Sequence, residues 1–415
     1  MSQLKLLCYF DSPTCATGFA TVSRNILLSL YDTHKYDISI LGINHDGSYY
    51  DQNKFPYKIY PAVNALRNEM DVYGRNSLLR MLSTQPVDIL FMIQDTFIVQ
   101  TFLDKVLELR SKLPKERQFI IVYYYPIDGK PKKEWIENVV CKIDFPVTYT
   151  EYAKRESYEV LGKEFPLDII HHGVNKQDFY VVSDDKKFLF KNQNFKDHKD
   201  DFFILNVNRN QPRKDLYRSL CAFKLFHDKI PNSFYFINCQ ANDVGGNIRD
   251  IASNIGLELY KDYSFPGNFD ANQGYPIEVI NMFYNISDLV ISTTIGEGYG
   301  LSILEGMATK TPLLFPNNTA ITEVIGENEE RGYLCKSGED MDHTICLGMQ
   351  DNNIIRPLIN VEDMANKMIY IYEHQDEAKE KAEKAFEWVK SWKQIGKEWI
   401  EIFRKAEDKL KETRR

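Results

Sequence analysis

Short apolar runs alternate with amphipathic segments along most of the chain. Leu4–Phe10 is an apolar run with the length of a buried strand, and the segment from Phe19 to Tyr31 repeats its apolar positions with a helical period. A second series of the same kind begins at Phe202–Val207. Strands that alternate with helices are typical of parallel, doubly wound sheets, whose ligands bind at the carboxyl ends of the strands. The pattern therefore predicts an α/β fold with two Rossmann-like domains.

The other elements of the first series continue this alternation. Strands are predicted at 36–42, 87–94, 118–125 and 145–150, and helices at 76–83, 101–112 and 151–161. Polar residues rich in Asn and Lys fill 181–201, which predicts a linker or a surface excursion between the two series. We therefore predict an N-terminal domain at 1–185, a second domain at 202–385 and a C-terminal helix at 386–415.

The composition argues against several classes of protein. The 415 residues carry a net charge of −8 without a long basic run, which argues against an affinity dominated by phosphate backbones. The seven cysteines are scattered and form no C-x-x-C pair, so we expect reduced thiols and a cytoplasmic location. We expect no signal peptide, and no apolar run approaches the roughly 18 residues of a spanning helix. Peripheral membrane contact stays open.

The most informative stretch is Ile291–Leu313. An apolar run ending in hydroxyl residues predicts a buried strand, three glycines at alternate positions follow it, and Ser302–Thr309 is periodic like a helix. The first amides of a helix have no internal partners, and glycines let a ligand approach the backbone closely. This order of elements predicts an anion site.

Two carboxylates, Glu297 and Glu305, border this anion site eight residues apart. A carboxylate beside a phosphate would be repelled by it, so each is better suited to accept hydrogen bonds from neutral hydroxyl groups. A ligand with a diphosphate in its middle and polyols at both ends, such as a nucleotide sugar, fits this arrangement. The alternative is that Glu305 merely favours a helix N-terminus and the glycines merely form a turn.

The segment from Glu297 to Ala308, E-G-Y-G-L-S-I-L-E-G-M-A, resembles the E-x7-E signature of family 4 glycosyltransferases. Pro312, Asn318–Gly326 and Gly332–Leu334 resemble the continuation of that motif. The resemblance implies a GT-B fold, in which two Rossmann-like domains face each other across a cleft and a C-terminal helix crosses back to the first domain. It also implies that Glu297 contacts the donor sugar and Glu305 the ribose. The amides of Gly298, Tyr299, Gly300 and Leu301 would lie beside the diphosphate.

Arg209 and Lys214 lie five residues apart after the predicted strand Phe202–Val207 and resemble the R-x4-K pair of the family. The resemblance implies that both cations hold the donor diphosphate. Fixed positive charge at that place would stabilise the leaving group without a metal ion. Arg213 can contribute, although the spacing favours the other two. The alternative is a solvated basic turn at a helix start, which the helix dipole disfavours.

The first domain carries weaker signals. Gly18 stands alone where the family has a glycine loop that closes over the donor, and the absence of G-x-G-x-x-G argues against a dinucleotide cofactor. Asp128 lies in the loop Pro126–Pro131, where many members of the family place a catalytic His. No His is present there, and Asp128 either contacts the acceptor or the donor sugar, or caps the next turn.

His172 belongs to a segment that resembles the end of the family's first domain, where it would line the interdomain cleft. A metal site with His171 is disfavoured because adjacent strand residues point to opposite faces and no third ligand is evident. Asp340-Met341-Asp342 is the only D-x-D sequence, and it follows the donor motif in a polar loop. No metal is therefore expected.

The resemblance therefore implies a metal-independent, retaining hexosyltransferase with Glu297, Asp128, Arg209 and Lys214 as its catalytic residues. The donor would resemble UDP-glucose or GDP-mannose, and the acceptor would be a glycan, a lipid, a protein or a modified nucleic acid. The alternatives are a virus-type enzyme acting on a hydroxylated DNA base, a nucleotide-sugar-binding GT-B protein without turnover, and a nucleotide-sugar epimerase.

Overall fold

The computed structural model describes residues 3–63, 71–267 and 275–415, which form two compact units. The first unit comprises Met1–His172 and Trp392–Arg415, and the second comprises Gly173–Ser391. The division after His172 comes earlier in the chain than the boundary expected between 185 and 202.

Parallel strands form the centre of the first unit. Its described strands are β1 (Leu4–Asp11), β2 (Tyr36–Ile43), β3 (Lys58–Pro61), β4 (Ile89–Ile93), β5 (Ile120–Tyr125), β6 (Phe145–Thr148) and β7 (Asp168–Ile169). They pair in parallel in the order β3-β2-β1-β4-β5-β6-β7. The connecting helices are α1 (Gly18–Tyr31), α2 (Arg75–Thr84), α3 (Thr96–Val99), α4 (Leu103–Lys112), α5 (Lys133–Asn138) and α6 (Glu151–Leu161). The chain order changes direction between β1 and β4, which creates a topological switch point.

Strand β5 shows why a nearly continuous apolar run marks a central strand. Tyr123, Tyr124 and Tyr125 are all fully buried, because both faces of a parallel sheet are covered. A buried phenol needs a partner for its hydroxyl. The hydroxyl of Tyr123 donates to the carbonyl of Gln94 at 2.8 Å, and that of Tyr125 lies 3.1 Å from Ser157 Oγ.

The second unit repeats this arrangement. Its described strands are β8 (Phe202–Asn206), β9 (Ser233–Ile237), β10 (Asn242–Asp243), β11 (Gly246–Asn247), β12 (Tyr263–Ser264), β13 (Leu289–Ile291), β14 (Leu313–Pro316), β15 (Tyr333–Cys335), β16 (Thr344–Cys346) and β17 (Ile355–Pro357). Six of them form a parallel sheet in the order β12-β9-β8-β13-β14-β15. Antiparallel pairs are formed by β10 with β11 and by β16 with β17. The switch point of the main sheet lies between β8 and β13.

The helices of the second unit are α7 (Asp184–Asn194), α8 (Leu216–His227), α9 (Ile248–Asn254), α10 (Ile277–Ile286), α11 (Leu301–Ala308), α12 (Thr319–Ile325), α13 (Val361–Glu373) and α14 (Gln375–Trp388). Helix α7 occupies the segment that was expected to be a linker or a surface excursion. Phe190 packs its ring 6.0 Å from that of Phe283, and Phe195 packs 4.9 Å from Phe203. Because these two aromatic side chains attach the polar segment to the second sheet, the segment is part of the second unit.

The last helix, α15 (Trp392–Arg414), belongs to the first unit. It begins six residues later than expected, since residues 386–388 still belong to α14. Trp399 is fully buried, with its ring 4.7 Å from that of Tyr124. At the far end, Arg414 Nη1 lies 2.6 Å from Asp88 Oδ1. The helix thus closes one face of the first sheet.

Helices α15 and α1 approach each other closely at Gly396. A Cβ atom at this position would lie 2.7 Å from the Cβ of Ser29 and 2.0 Å from its Oγ. We expect Gly396→Val to destabilise the first unit by roughly 2 kcal/mol, because overpacking exceeds the gain in helix propensity. The midpoint of thermal unfolding should fall by roughly 4–8 °C for a unit of this size.

Ser29→Gly provides the test of this explanation. Combining it with Gly396→Val removes the clash, so the double variant should be more stable than the sum of the two single effects. Lys397→Ala, on the same helix, is the control for a change that leaves Gly396 in place. Strictly additive effects of the two substitutions would show that this contact does not limit the approach of the helices.

Candidate functional site

The loops that follow β8 and β13 diverge at the switch point of the second sheet. Asn208, after β8, donates from its side-chain amide to Asn206 Oδ1 at 2.6 Å and to Ser292 Oγ at 3.2 Å. All three side chains are buried. These bonds tie the two loops together, so functional groups carried by either loop are held in a fixed relation.

A second set of hydrogen bonds joins the turn after β8 to the loop after β13. Thr293 Oγ1 donates to the carbonyl oxygens of Lys214 and Asp215 at 3.0 Å and 2.8 Å. The amide of Ile295 donates to the carbonyl of Arg213 at 2.9 Å. The side chains of Lys214 and Arg213 are therefore presented to the glycine loop by a rigid backbone.

Glu297 lies at the centre of a cluster of charges. Its Oε1 pairs closely with Lys214 Nζ, and its Oε2 lies 3.5 Å from Arg213 Nη1. Burial alone would raise the pKa of the Glu297 carboxyl, but the charges of Lys214 and Arg213 outweigh burial and lower the pKa to about 2. Glu297 is therefore ionised at neutral pH, and the cluster of one carboxylate and two cations keeps a net positive charge.

The N-terminus of α11 follows this cluster directly. Gly300 precedes the helix with φ of 96°, and a Cβ there would lie 2.7 Å from Ile303 Cδ1. Both the left-handed backbone and the lack of space require glycine at this position. The amides that open α11 have no partners within the helix, so they add a partial positive charge beside Glu297.

A support for this loop comes from the start of α12. The amide of Glu297 donates to Thr319 Oγ1 at 3.0 Å, and Asn318 Nδ2 donates to the carbonyl of Thr294 at 3.3 Å. Thr319 has a φ of 48°, a strained backbone for a β-branched residue. Sequence reasoning placed Asn318 only in the continuation of a motif, because neither contact has a signal in local sequence.

Glu305 has a different environment from that of Glu297. Its Oε2 accepts a hydrogen bond of 2.7 Å from the hydroxyl of Tyr284. Burial raises the pKa of the Glu305 carboxyl to about 7. The hydrogen bond from Tyr284 opposes this increase, and the nearby charge of Asp178 adds to it. The two carboxyls of the motif thus have pKa values pushed in opposite directions, a pattern typical of groups with different roles.

Arg209 does not join Lys214 at Glu297. Its Nε and Nη2 lie 2.8 Å and 3.2 Å from the two carboxylate oxygens of Asp243, which is on β10. Arg213 takes the place beside Glu297 and donates from Nη1 to the carbonyl of Gly296. Sequence spacing favoured Arg209 over Arg213, whereas the tight helical turn at Pro212–Lys214 brings Arg213 to the glycine loop.

In the first unit, Gly18 begins α1 and Thr17 caps it. Thr17 Oγ1 accepts from the amide of Ala20 at 3.1 Å and donates to Asp11 Oδ2 at 2.6 Å. Burial raises the pKa of Asp11, which stands at the end of β1 beside the switch point of the first sheet. Sequence reasoning missed Asp11, although its position at a carboxyl end was the available signal.

Asp128 and His172, the other two predicted residues of the first unit, differ in how deeply they are buried. Asp128 is half-buried in the loop after β5. His172 is only 5% exposed, and its ring lies 4.4 Å from that of Tyr149 and 5.6 Å from that of Trp392. Burial lowers the pKa of His172 to about 3, so its ring is neutral. His172 therefore packs within a cluster of aromatic side chains in the first unit.

Two further features of residues 3–63, 71–267 and 275–415 concern metal binding and membrane insertion. Within these ranges, no three His, Cys, Asp or Glu side chains are grouped to hold a metal ion. No helix in the same ranges combines the length and the apolar character needed to span a membrane.

Comparison with protein families finds one domain. Residues 186–345, within the second unit, match the family described as Glycosyl transferases group 1. Among curated proteins, the chain is 27% identical over 225 residues to "Putative glycosyltransferase EpsD" of Bacillus subtilis (strain 168). That alignment covers 52% of this chain and 51% of the relative, so the chain matches about half the length of this relative. This part of the second unit is thus similar to the group 1 glycosyl transferases.

Solved structures extend the likeness to the whole chain. Sucrose-phosphate synthase from Thermosynechococcus elongatus has a TM-score of 0.71 at 13% identity, with 97% of this chain and 99% of that chain covered. Anabaena HepE in complex with UDP and glucose has a TM-score of 0.70 at 14% identity, with coverages of 97% and 100%. At these identities the likeness establishes the fold, and it confirms the predicted α/β class with two Rossmann-like domains of GT-B type.

Proposed function

We propose that the protein is a glycosyltransferase that moves a sugar from a nucleoside diphosphate sugar to an acceptor hydroxyl, with retention of configuration and without a metal ion. The observation that carries the proposal is the cluster of Lys214, Arg213 and Glu297 at the N-terminus of α11. The match of residues 186–345 to the group 1 family supports the same assignment.

The cluster suits the departure of a nucleoside diphosphate. As the bond between the anomeric carbon and the diphosphate oxygen breaks, the electron pair stays on that oxygen. Lys214, Arg213 and the amides from Gly298 to Leu301 supply positive charge where this negative charge grows. Because these cations are fixed by the backbone, they can perform the task that a metal ion has in other transferases.

The proposed transfer takes place on one face of the sugar. The acceptor oxygen forms its bond to the anomeric carbon on the side from which the diphosphate leaves, and its proton passes to the departing phosphate oxygen. Glu297 is proposed to accept hydrogen bonds from hydroxyls of the transferred sugar, a role for which its ionised state is suited. Glu305 is proposed to accept from the ribose with the oxygen that Tyr284 leaves open.

A UDP-sugar, with glucose as the first candidate, is the donor that we propose. Support comes from HepE, whose solved structures contain UDP, glucose or UDP-glucose. A GDP-mannose-like donor is the second choice. For Arg209 we propose an outer position at the diphosphate, held by Asp243. The acceptor is proposed to engage Asp128 and the α1 N-terminus at Gly18, and we place the reaction in the cytoplasm.

A sugar-nucleotide-binding protein without turnover is the second candidate. The observation that favours it is Asp128, which stands in the loop where a catalytic His would strengthen the case for an enzyme. Donor binding without transfer to any acceptor would decide in favour of this candidate.

A panel of UDP-, GDP- and ADP-sugars in a thermal-shift assay tests the proposal. Bound ligand stabilises the native state by RT ln(1 + [L]/Kd), so a donor at about 100 times Kd adds about 2.7 kcal/mol. We expect a selective shift with one base, hydrolysis or transfer with that donor, and the same rate in the presence of EDTA. NMR of the product shows whether the anomeric configuration is retained. Absence of a shift with every donor would contradict the proposal.

A further inference from the structure

Glu305 is supported by a buried phenol on a neighbouring helix. Tyr284, on α10, is fully buried and donates to Glu305 Oε2 at 2.7 Å. Tyr284 is itself held at two points: its ring makes an edge contact with Phe179 at 5.8 Å, and its carbonyl accepts from Thr311 Oγ1 at 2.9 Å. The phenol therefore fixes the position of one carboxyl oxygen and leaves the other oxygen for a ligand.

The turn that carries Phe179 also carries a second carboxylate, Asp178. Asn175 Nδ2 donates to Asp178 Oδ2 at 2.7 Å, and the amides of Asp178 and Phe179 donate to the carbonyl of Asn175 at 3.0 Å and 2.9 Å. The charge of Asp178 acts on Glu305 and raises its pKa, in opposition to the hydrogen bond from Tyr284. Helix α14, which also packs against α11, brings Glu383, and this residue pairs with Lys310 at 2.7 Å.

We propose that Tyr284 and Asp178 are positioning residues for Glu305: Tyr284 holds one carboxylate oxygen so that the other can accept from the ribose, and Asp178 opposes the charge of the carboxylate. This inference rests on the proposed binding of a nucleoside diphosphate. Tyr284 and Asp178 act through Glu305 and are not themselves assigned a contact with the ligand.

The chemistry of the carboxyl explains why this support matters. An ionised carboxylate accepts hydrogen bonds at both oxygens, whereas a protonated carboxyl offers fewer acceptor sites and one donor. With one oxygen engaged by Tyr284, acceptance from a ribose hydroxyl at the other oxygen needs the ionised form. Because the pKa of Glu305 is about 7 without ligand, nucleotide affinity should fall as the pH drops below neutrality. The loss should approach about tenfold per pH unit well below that pKa.

Substitutions of Tyr284 and Asp178 should shift the pH midpoint of nucleotide affinity in opposite directions. Tyr284→Phe removes the hydrogen bond that favours the ionised form, so the midpoint of the affinity profile should move to higher pH. Asp178→Asn removes a like charge, so the midpoint should move to lower pH. We expect each shift to be about one pH unit. A purely structural role would weaken binding at all pH values without moving the two midpoints apart.

Calorimetric titration of UDP into the full-length protein, over roughly two pH units on either side of neutrality, measures these midpoints. Glu305→Gln is the matched control, because its profile contains every titration except that of Glu305, including that of the ligand phosphate. GDP and ADP replace UDP if the donor panel selects another base. Asp178 lies half-buried in a turn, where a substitution disturbs folding less than at the buried Tyr284. If Tyr284→Phe does not fold, the midpoint of Asp178→Asn still tests the proposal.

The outcomes separate the two proposals. Opposite displacements of the two midpoints, absent from Glu305→Gln, support this inference. Binding to the unaltered protein with the same profile in both variants overturns the inference and leaves the proposed function standing. Failure of all three nucleotides to bind the unaltered protein at any pH overturns the proposed function, and this inference with it.

Discussion

Replacing Lys214 with alanine is expected to lower kcat/KM for transfer by about 10³-fold. The Lys214 side chain is 12% exposed, and its ammonium group pairs with Glu297 on a turn held by Thr293. A cation in such a sheltered place stabilises developing charge far more than an exposed one does, because little water competes with it. Its loss also leaves Glu297 with Arg213 as its cation, so the pKa of Glu297 should rise from about 2.

Steady-state kinetics and UDP binding should both report the loss of Lys214. The diphosphate of free UDP should bind at least about tenfold more weakly, since one charge-assisted contact is removed. Lys224→Ala is the matched control, because Lys224 lies on α8 and pairs with Asp228 outside the cluster. An effect of Lys214→Ala no larger than that of Lys224→Ala would remove Lys214 from the site.

Glu297→Gln is expected to lower kcat by about 10²-fold to 10³-fold while free UDP keeps its affinity or binds more tightly. The charge of Glu297 is held close to both Lys214 and Arg213. Glutamine keeps the shape of the side chain but removes the negative charge. The two cations then lose the competing negative charge and attract the diphosphate more strongly, while the sugar loses an ionised acceptor.

Single-turnover kinetics and calorimetry separate these two effects. Since the pKa of Glu297 is about 2, the difference between the variant and the unaltered protein should be constant across the neutral range. Glu323→Gln, on the nearby helix α12, is a control for removing a carboxylate elsewhere. A loss of UDP affinity equal to that of Lys214→Ala would contradict the separate roles given to Glu297 and Lys214.

The parts of the molecule that were predictable are those governed by local pattern. The apolar run of β5, with Tyr123–Tyr125 buried on both faces, can be read from hydrophobicity alone. The same is true of the glycine loop before α11, because Gly300 needs a left-handed backbone that sequence chemistry signals. Helix α7 was not predicted because its attachment depends on a few aromatic residues within a polar segment. Only tertiary packing shows what those residues contact.

The identities of the residues around the charges depend on folding at longer range. Arg213 rather than Arg209 reaches Glu297 because a tight turn redirects the side chain, and spacing along the chain does not show this. Tyr284 and Glu305 are 21 residues apart in sequence, and their hydrogen bond exists only because α10 and α11 pack together. Sequence motifs therefore predict the candidate site, whereas the residues that support its charges depend on how distant elements pack.

Helix α15 has a consequence for how the protein is made on the ribosome. Trp399, which fills the first sheet beside Tyr124, is synthesised only after the whole of Gly173–Ser391 has been translated. While the second unit is translated, the nascent first sheet lacks this helix, so the aromatic face around Tyr124 stays uncovered. Exposed apolar surface of this kind is what chaperones bind during biosynthesis. The first unit is thus begun before the second unit but receives its last helix, α15, after it.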